Sequence, residues 1–364
     1  MGMLIARLKP SRYGRLIARL TPSRYGVRSP LAIAALAVIV SIVMSPDRVA
    51  GQTPAAGAAK TKAPGKTWTP PRTPDGQPDL QGVWDYRTAT PLERPPQFAG
   101  KEFLTDEDVA EYERRAAERQ DGRPPDDPRT DPSVQAPDWL DYGKKVIGTK
   151  RSSLIVDPPD GRIPALTPEA QARAAARRDA GRAHGPADSP EDRNLWERCI
   201  TRGLPEGVLP AGYNNNLQIQ QTPGHVVLSM EMIHDARIVP LDGRPHLPGA
   251  VRQWMGDSRG HWEGNTLVVE TTNFSDKSNF RGSGERLHLV ERFTRVDTDT
   301  IDYRFTVDDP TTWTKPWTVA IPLVRSDGPI YEYACHEGNY GLQNILSQAR
   351  AREKAEASAK KEQK

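Results

Sequence analysis

Residues 287–307 read LHLVERFTRVDTDTIDYRFTV and carry the clearest strand signal of the chain. The runs 287–296 and 300–307 alternate apolar and polar side chains, which is the pattern of half-buried β-strands. The polar residues 297–299 lie between them as a turn. This stretch therefore predicts an antiparallel hairpin with one face on a core.

Further strand-like runs lie on both sides of this hairpin. They are 79–84, 226–239, 260–270 with the turn residues Gly264 and Asn265, 317–324 and 330–335. Short strands separated by turn residues are typical of antiparallel sandwiches and barrels. We expect a mainly β fold, an antiparallel β-barrel or sandwich of about eight strands.

The region 97–195 differs from the strand-rich remainder because it is rich in proline and in helix signals. One helix is expected over 104–119, and a second over 167–180 with Pro168 at its first position. The whole chain has 34 prolines and only 36% hydrophobic residues, so much of it must be irregular. We interpret 97–195 as a helical, proline-rich insertion that wraps around the core.

The N-terminal 51 residues predict export. Residues 31–44 form an uncharged apolar run, shorter than the roughly 20 residues of a membrane span. Arg24 and Arg28 precede this run and small residues follow it, so we interpret 1–51 as a signal peptide cleaved near Gly51. An uncleaved N-terminal anchor is the alternative.

A near-exact tandem repeat occupies residues 1–26, and it is either a recent duplication or upstream sequence that is not translated. The organisation expected beyond the leader is a disordered linker over 52–78, a single barrel domain over 79–347, and a charged helical or disordered tail over 348–364. We expect a periplasmic or secreted location, with membrane contact only through the leader before cleavage.

The charge balance changes when the leader is set aside. Residues 52–364 carry 42 basic and 46 acidic side chains, a net charge of about −4. No basic surface for nucleic acid remains, so we expect no nucleic-acid partner. The sequence leaves the oligomeric state open.

Several sequence blocks resemble a family of exported bacterial proteins of uncharacterised function. These blocks are GYNNN (212–216), EMIHDARI (231–238), RQWMGDSRG (252–260), WEGNTLVVETTNF (262–274), ERFTRVD (291–297), DPTTWTKPW (309–317) and YEYACHEGNYGLQNIL (331–346). The resemblance covers most of residues 196–347. It implies export and carries no activity over to this chain.

The opening strand contains Gly82-Val83-Trp84, which remotely resembles the Gly-x-Trp strand of lipocalins and related calycins. The resemblance implies a lipocalin-like barrel in which the tryptophan closes one end. In that group the tryptophan packs against an arginine from a late strand. Arg292, Arg295 and Arg304 are the candidates here.

Four residues are candidates for acid–base catalysis, namely His234, Asp235, His336 and Glu337. If 226–239 is one strand, alternation places His234 on its apolar face, and burial there favours the neutral imidazole that a general base requires. A buried histidine satisfied by one backbone carbonyl is the alternative. In a final strand over 330–335, Glu337 shares a face with Cys335 and His336 points to the other side.

The two cysteines, Cys199 and Cys335, are candidates for a disulfide, because export permits one. Cys335 as a catalytic thiolate is the competing hypothesis. The histidines show none of the spacings of common metal motifs, so we predict no metal site and no cofactor.

Six further residues are candidates for ligand binding: Asn214, Asn215, Asn216, Trp254, Asp257 and Tyr340. Three successive carboxamides offer donors and acceptors together, which suits a hydroxyl-rich ligand, although asparagine is also a common turn residue. The sequence favours an exported barrel that binds a small molecule in its interior. The alternatives are a hydrolase, lyase or isomerase acting in the same cavity, and a structural or envelope-interaction protein.

Overall fold

The structure is a computed structural model that describes residues 68–121, 142–278 and 280–362. The predicted signal peptide, its tandem repeat and the first part of the predicted linker, 52–67, lie outside these residues. In the described part of the chain, no helix is long and apolar enough to cross a membrane.

The described chain forms ten strands and three α-helices. The strands are β1 (Gly82–Asp85), β2 (Ile155–Asp157), β3 (Asn216–Thr222), β4 (His225–Met230), β5 (Ala236–Pro240), β6 (Asp257–Glu263), β7 (Thr266–Thr272), β8 (His288–Arg295), β9 (Thr300–Asp308) and β10 (Trp317–Arg325). The helices are α1 (Asp106–Asp121), α2 (Pro168–Ala183) and α3 (Gly341–Glu362). Short 3-10 turns lie at Pro96–Phe98, Pro190–Asp192, Glu206–Val208 and Met232–His234.

Nine strands form one antiparallel sheet that is nearly closed into a barrel, which confirms the predicted fold class. Their order is β5-β4-β3-β1-β10-β9-β8-β7-β6, and β2 pairs with β10 on the same side as β1. The predicted hairpin of residues 287–307 is β8 and β9, and the hairpin around Gly264 is β6 and β7.

The edge strands β5 and β6 meet through side chains instead of a ladder of backbone hydrogen bonds. Gly260 on β6 makes this approach possible. A Cβ at Gly260 would lie 2.7 Å from Leu241 Cδ2 and 2.8 Å from Val239 Cγ1, closer than real Cβ contacts allow. A larger residue at position 260 would therefore force Leu241 and Val239 to shift where the two edges converge.

Alternate side chains of the strands point inward and form one continuous apolar core. Several large side chains of this core are fully buried, among them Trp84, Tyr303, Phe305, Trp317 and Ile321. Burying each large apolar side chain contributes about 1.5–3 kcal/mol. Side chains fill the barrel interior, as is usual for barrels of about eight strands.

Trp84 lies at one end of this core. Its indole Nε1 donates a hydrogen bond to the Leu80 carbonyl at 2.9 Å. The guanidinium carbons of Arg295 and Arg325 each lie 5.6 Å from its ring centroid. Arg295, one of the three arginines named from the sequence, also donates to the Asp79 carbonyl at 2.8 Å and so connects β8 to the segment before β1.

The insertion 97–195 contributes to the sheet as well as covering it. Its strand β2 pairs with β10, and Leu154 and Ile155 enter the core. Both predicted helices are present, as α1 and α2. Thr167 caps α2 by accepting a hydrogen bond from the Ala170 amide at 3.1 Å, and Pro168 occupies the first helical position.

Two strand predictions are wrong. The run 226–239 is interrupted after Met230 by a turn, where Ile233 and His234 adopt left-handed backbone angles (φ 59° and 48°). The turn reverses the alternation, so Arg237 points inward and Ile238 is 69% exposed. The run 330–335 forms no strand. Its Tyr331 amide donates to the Glu231 side chain, and Cys335 is bonded to Cys199.

Residues 68–78, the last part of the predicted linker, contain local backbone hydrogen bonds. Within 68–78, the Thr73 amide donates to the Gln77 carbonyl at 2.9 Å, and Arg72 forms a bridge with Pro78. At the other end, the tail is helical, because α3 begins at Gly341 and includes residues 348–362.

Candidate functional site

An open cleft of about 1120 Å³ lies beside the end of the barrel at which β3 begins and β4 ends. We call it the aromatic cleft. Its lining is formed by Arg87, Arg193, Trp196, Glu197, residues 213–216, Glu231, Ser326, Gly328, Pro329, residues 331–335, Asn339, Gly341, Leu342 and Ile345. Segments far apart in sequence thus meet at one site, a location typical of ligand clefts at barrel mouths.

Glu231 provides a buried carboxylate in the lining of the aromatic cleft. It is 3% exposed and immediately follows β4. Asn216, the first residue of β3, donates through Nδ2 to Glu231 Oε2 at 2.8 Å, and the Tyr331 amide donates to Oε1 at 3.1 Å. A carboxylate offers about four acceptor positions. These two neutral donors therefore leave it capacity for further hydrogen bonds.

Aromatic side chains form much of the wall. The rings of Tyr213 and Tyr333 stack at a centroid distance of 6.5 Å with an interplanar angle of 16°. Burial raises the pKa of the Tyr333 phenol above its ordinary value, and its hydrogen bond with Tyr213 adds to the shift. Tyr331 is 70% exposed, and Trp196 is half-buried. The cleft therefore presents ring surfaces beside an anionic acceptor.

A charged pair at the wall is incompletely satisfied. Arg193 Nη2 lies 2.6 Å from Glu197 Oε1, and both side chains are mostly buried. Arg193 Nε and Glu197 Oε2 are buried without a hydrogen-bond partner among the described residues. Buried polar atoms of this kind are uncommon in native proteins.

Among the described residues, seven non-glycine residues have left-handed backbone angles, and one of them, Asn214 (φ 52°), lines the aromatic cleft. Cys199 (φ 55°) and Ile233 (φ 59°) contact Cys335 of the lining, and His234 (φ 48°) follows Ile233. Asparagine tolerates this region, but a β-branched residue such as Ile233 adopts it at a steric cost. Such strain is common at functional sites, where surrounding contacts hold the backbone in place.

The three asparagines predicted to bind ligand have different positions. Asn214 and Asn216 are half-buried in the cleft wall, and Asn216 holds Glu231. Asn215 is buried, and its carboxamide accepts from the Ala211 amide at 2.7 Å and donates to the Ala211 carbonyl at 2.9 Å. Asn215 thus clamps the turn that begins β3.

The prediction that His234 is desolvated on an apolar strand face is wrong. His234 is exposed, because the turn before β5 directs it outward. Its Nδ1 lies 3.1 Å from the Tyr333 carbonyl oxygen, and its ring centroid is 6.3 Å from that of His336. The two histidines are neighbours outside the residues that line the aromatic cleft.

The other catalytic candidates do not converge on a common point. The Asp235 carboxylate accepts hydrogen bonds from the Thr201 hydroxyl at 2.8 Å and the Arg202 amide at 2.9 Å. Burial raises the pKa of this carboxyl above its ordinary value. His336 and Glu337 are exposed in a loop. The expectation that they point to opposite faces of a strand is therefore wrong.

The remaining ligand candidates lie outside the aromatic cleft. Trp254 lines a second cleft. Asp257 is buried, accepts from His246 Nδ1 at 2.9 Å if that nitrogen is protonated, and pairs with Arg259 at 3.0 Å. Tyr340 is 65% exposed and adjoins Asn339 of the cleft lining.

Cys199 and Cys335 are joined by a disulfide with a Cα–Cα distance of 5.7 Å. This bond links the segment between α2 and β3 to the segment after β10, and Met232 and Ile233 pack against Cys335. It excludes Cys335 as a free thiolate in this structure. In the described part of the chain, no group of three or more histidine, cysteine, aspartate or glutamate residues is placed to hold a metal ion.

Sequence reasoning missed Glu231 and Trp196. If 226–239 were one strand, alternation would place Glu231 on the face opposite His234, but β4 ends at Met230 and the Tyr331 amide donates to the Glu231 carboxylate. Trp196 directly follows the proline-rich region 97–195, in a stretch with no periodic pattern to mark it.

The chain matches no protein-family model, no curated protein and no solved structure at a significant level.

Proposed function

We propose that this protein binds a small, hydroxyl-bearing ring compound in the aromatic cleft, with a neutral sugar as the model ligand. The observation that carries the proposal is the buried Glu231 carboxylate in a cleft walled by tyrosine and tryptophan rings. A sugar ring presents an apolar face to aromatic side chains and hydroxyl donors to a carboxylate.

The distribution of polar groups supports the same ligand class. Glu231 retains acceptor positions, and Asn214 offers both a donor and an acceptor at the wall. Mostly apolar clefts with a few convergent polar groups are typical of small-molecule sites.

The filled core supports placing the ligand in the aromatic cleft instead of the barrel interior expected from the sequence. Inward side chains of the sheet, such as Phe293, Phe305 and Ile321, are fully buried against one another. We infer that the barrel is the rigid support and that the cleft beside it is the binding site. A periplasmic or secreted location and a lipocalin-like end closure by Trp84 and Arg295 belong to this proposal.

A binding screen on residues 52–364 tests the proposal. Isothermal titration with a panel of neutral mono- and disaccharides should identify at least one ligand. Tyr331→Ala should weaken its binding about tenfold or more, because an exposed ring of the cleft is lost. Tyr340→Ala is the matched control, since Tyr340 is similarly exposed but outside the lining, and it should bind normally.

Glu231→Gln examines the carboxylate separately, because it keeps the side-chain volume and removes the charge. Its sugar affinity should fall while its far-ultraviolet circular dichroism spectrum stays unchanged. The proposal fails if no sugar binds, or if Tyr331→Ala and Tyr340→Ala have equal effects.

A further inference from the structure

A second cleft of about 800 Å³ shares Arg193 and Trp196 with the aromatic cleft. We call it the basic cleft, because five cations and only two carboxylates line it. The cations are Arg193, Arg198, Arg202, Lys277 and Arg281, and the carboxylates are Glu191 and Glu206. We propose that the basic cleft binds a small oxyanion, the carboxylate or phosphate group of an organic ligand.

Ion pairing separates the five cations into two groups. Arg193 pairs with Glu197 at 2.6 Å, and Arg198 pairs with Glu191 at 3.5 Å. Arg202, Lys277 and Arg281 have no carboxylate partner within ion-pair distance among the described residues. Three positive charges in one concave surface are thus left for an anion from solution.

Two of these three cations are arginines held against aromatic rings. The Arg202 guanidinium carbon lies 5.3 Å from the Trp196 ring centroid, and that of Arg281 lies 5.6 Å from the Phe280 centroid. The Arg202 backbone is fixed as well, because its amide donates to Asp235. Stacking occupies the face of a guanidinium and leaves its N–H edge available for a bidentate oxyanion.

The basic cleft also offers apolar surface for the body of the ligand. Trp254 is 38% exposed at the lining, and Trp196 is half-buried. An organic anion would therefore gain ring contacts that an inorganic ion lacks.

The local excess of positive charge contrasts with the chain as a whole. Residues 52–364 carry more acidic than basic side chains. Unpaired cations concentrated in a concave surface focus the electrostatic potential there and attract anions. The aromatic cleft differs in charge, because its lining includes the carboxylate of Glu231 without a cationic partner among the described residues.

This inference goes beyond the proposed sugar site and stands independently of it. Lys277 and Arg281 line only the basic cleft of the two. A protein that binds no sugar can still bind an anion here, and the experiments use different probes and variants.

The test is titration of residues 52–364 with inorganic phosphate and with benzoate at an ionic strength held constant with sodium chloride. Binding of either probe above the chloride background is the expected result, and the preferred probe identifies phosphate or carboxylate. Lys277→Gln/Arg281→Gln should weaken binding about tenfold or more, because two charge-assisted contacts are lost. Arg202→Gln should have a similar effect.

Arg286→Gln/Lys315→Gln is the control, because it removes two exposed cations outside the basic cleft. It should bind like the unaltered chain. If Arg202→Gln does not fold, the comparison of Lys277→Gln/Arg281→Gln with the control decides the question, because all four of these residues are exposed. The inference is overturned if neither probe binds above chloride, or if control and cleft variants lose affinity equally.

Discussion

Arg237 on β5 and Glu291 on β8 form a bidentate ion pair inside the barrel, with N–O distances of 2.5 and 2.9 Å. Both side chains are buried. The Tyr303 hydroxyl donates to the same carboxylate at 2.9 Å. Because β5 is one edge of the sheet and β8 lies near the other edge, the pair spans the line along which the barrel closes.

Breaking this ion pair should destabilise the fold strongly. Glu291→Gln keeps the volume and an acceptor for Tyr303 but leaves the Arg237 charge buried without its counter-charge. We expect the free energy of unfolding, measured by urea denaturation, to fall by about 3–5 kcal/mol. The double variant Arg237→Met/Glu291→Gln should lose less, because no buried charge remains. A single variant within about 0.5 kcal/mol of the unaltered protein would contradict a role in closure.

Trp84→Ala should lower the free energy of unfolding by about 3–5 kcal/mol. Trp84 is fully buried, so its removal leaves a cavity in the core. Trp68→Ala is the control, since Trp68 is 39% exposed, and it should change stability by less than about 0.5 kcal/mol. Thermal and urea denaturation measure both. A nearly neutral Trp84→Ala would remove the argument that this tryptophan closes the barrel.

Asp235 should make stability depend on pH. Burial raises the pKa of its carboxyl above the ordinary 3.8, so the folded protein holds this proton more tightly than the unfolded chain does. Stability from this group is therefore present at low pH and declines as pH rises from the unfolded pKa through the raised folded pKa.

The variant Asp235→Asn isolates this effect, because its amide oxygen still accepts from Thr201 and Arg202 but does not titrate. The unfolding free energy of the unaltered protein minus that of Asp235→Asn should decrease as pH rises from the unfolded pKa of the carboxyl through its raised folded pKa. A difference that is flat or increases with pH would show that the carboxyl is not desolvated.

The disulfide between Cys199 and Cys335 spans 136 residues of sequence. Cys199→Ser/Cys335→Ser should lower the free energy of unfolding by about 2–5 kcal/mol, because the unfolded chain regains the freedom of a long loop. Denaturation with and without a reducing agent measures the effect in parallel. Equal midpoints under both conditions would show that the bond contributes nothing.

The signal peptide predicted from the sequence implies that the processed chain begins at or near Gln52. Expression with the complete leader, followed by mass analysis of the N-terminus, measures this directly. Retention of residues 31–44 in the processed protein would favour the uncleaved anchor.

The sequence by itself determined the antiparallel sheet, because alternation is local information. Residues 287–307 show which side chains share a face, and a turn of three residues leaves the two runs little choice of partner. The helices α1 and α2 were also predictable from the sequence. For α2, the cap at Thr167 and the proline after it act within one turn, so they are local signals.

Only the tertiary structure decided the candidate sites. Glu231 meets the Tyr331 amide across 100 residues of sequence, and Arg237 meets Glu291 across 54. Whether 330–335 pairs as a strand depends on whether a sheet edge is free beside it, and alternation contains no information about that. The turn at Ile233 also reversed the inside and outside of β5, because one change of backbone direction exchanges the two faces of everything that follows.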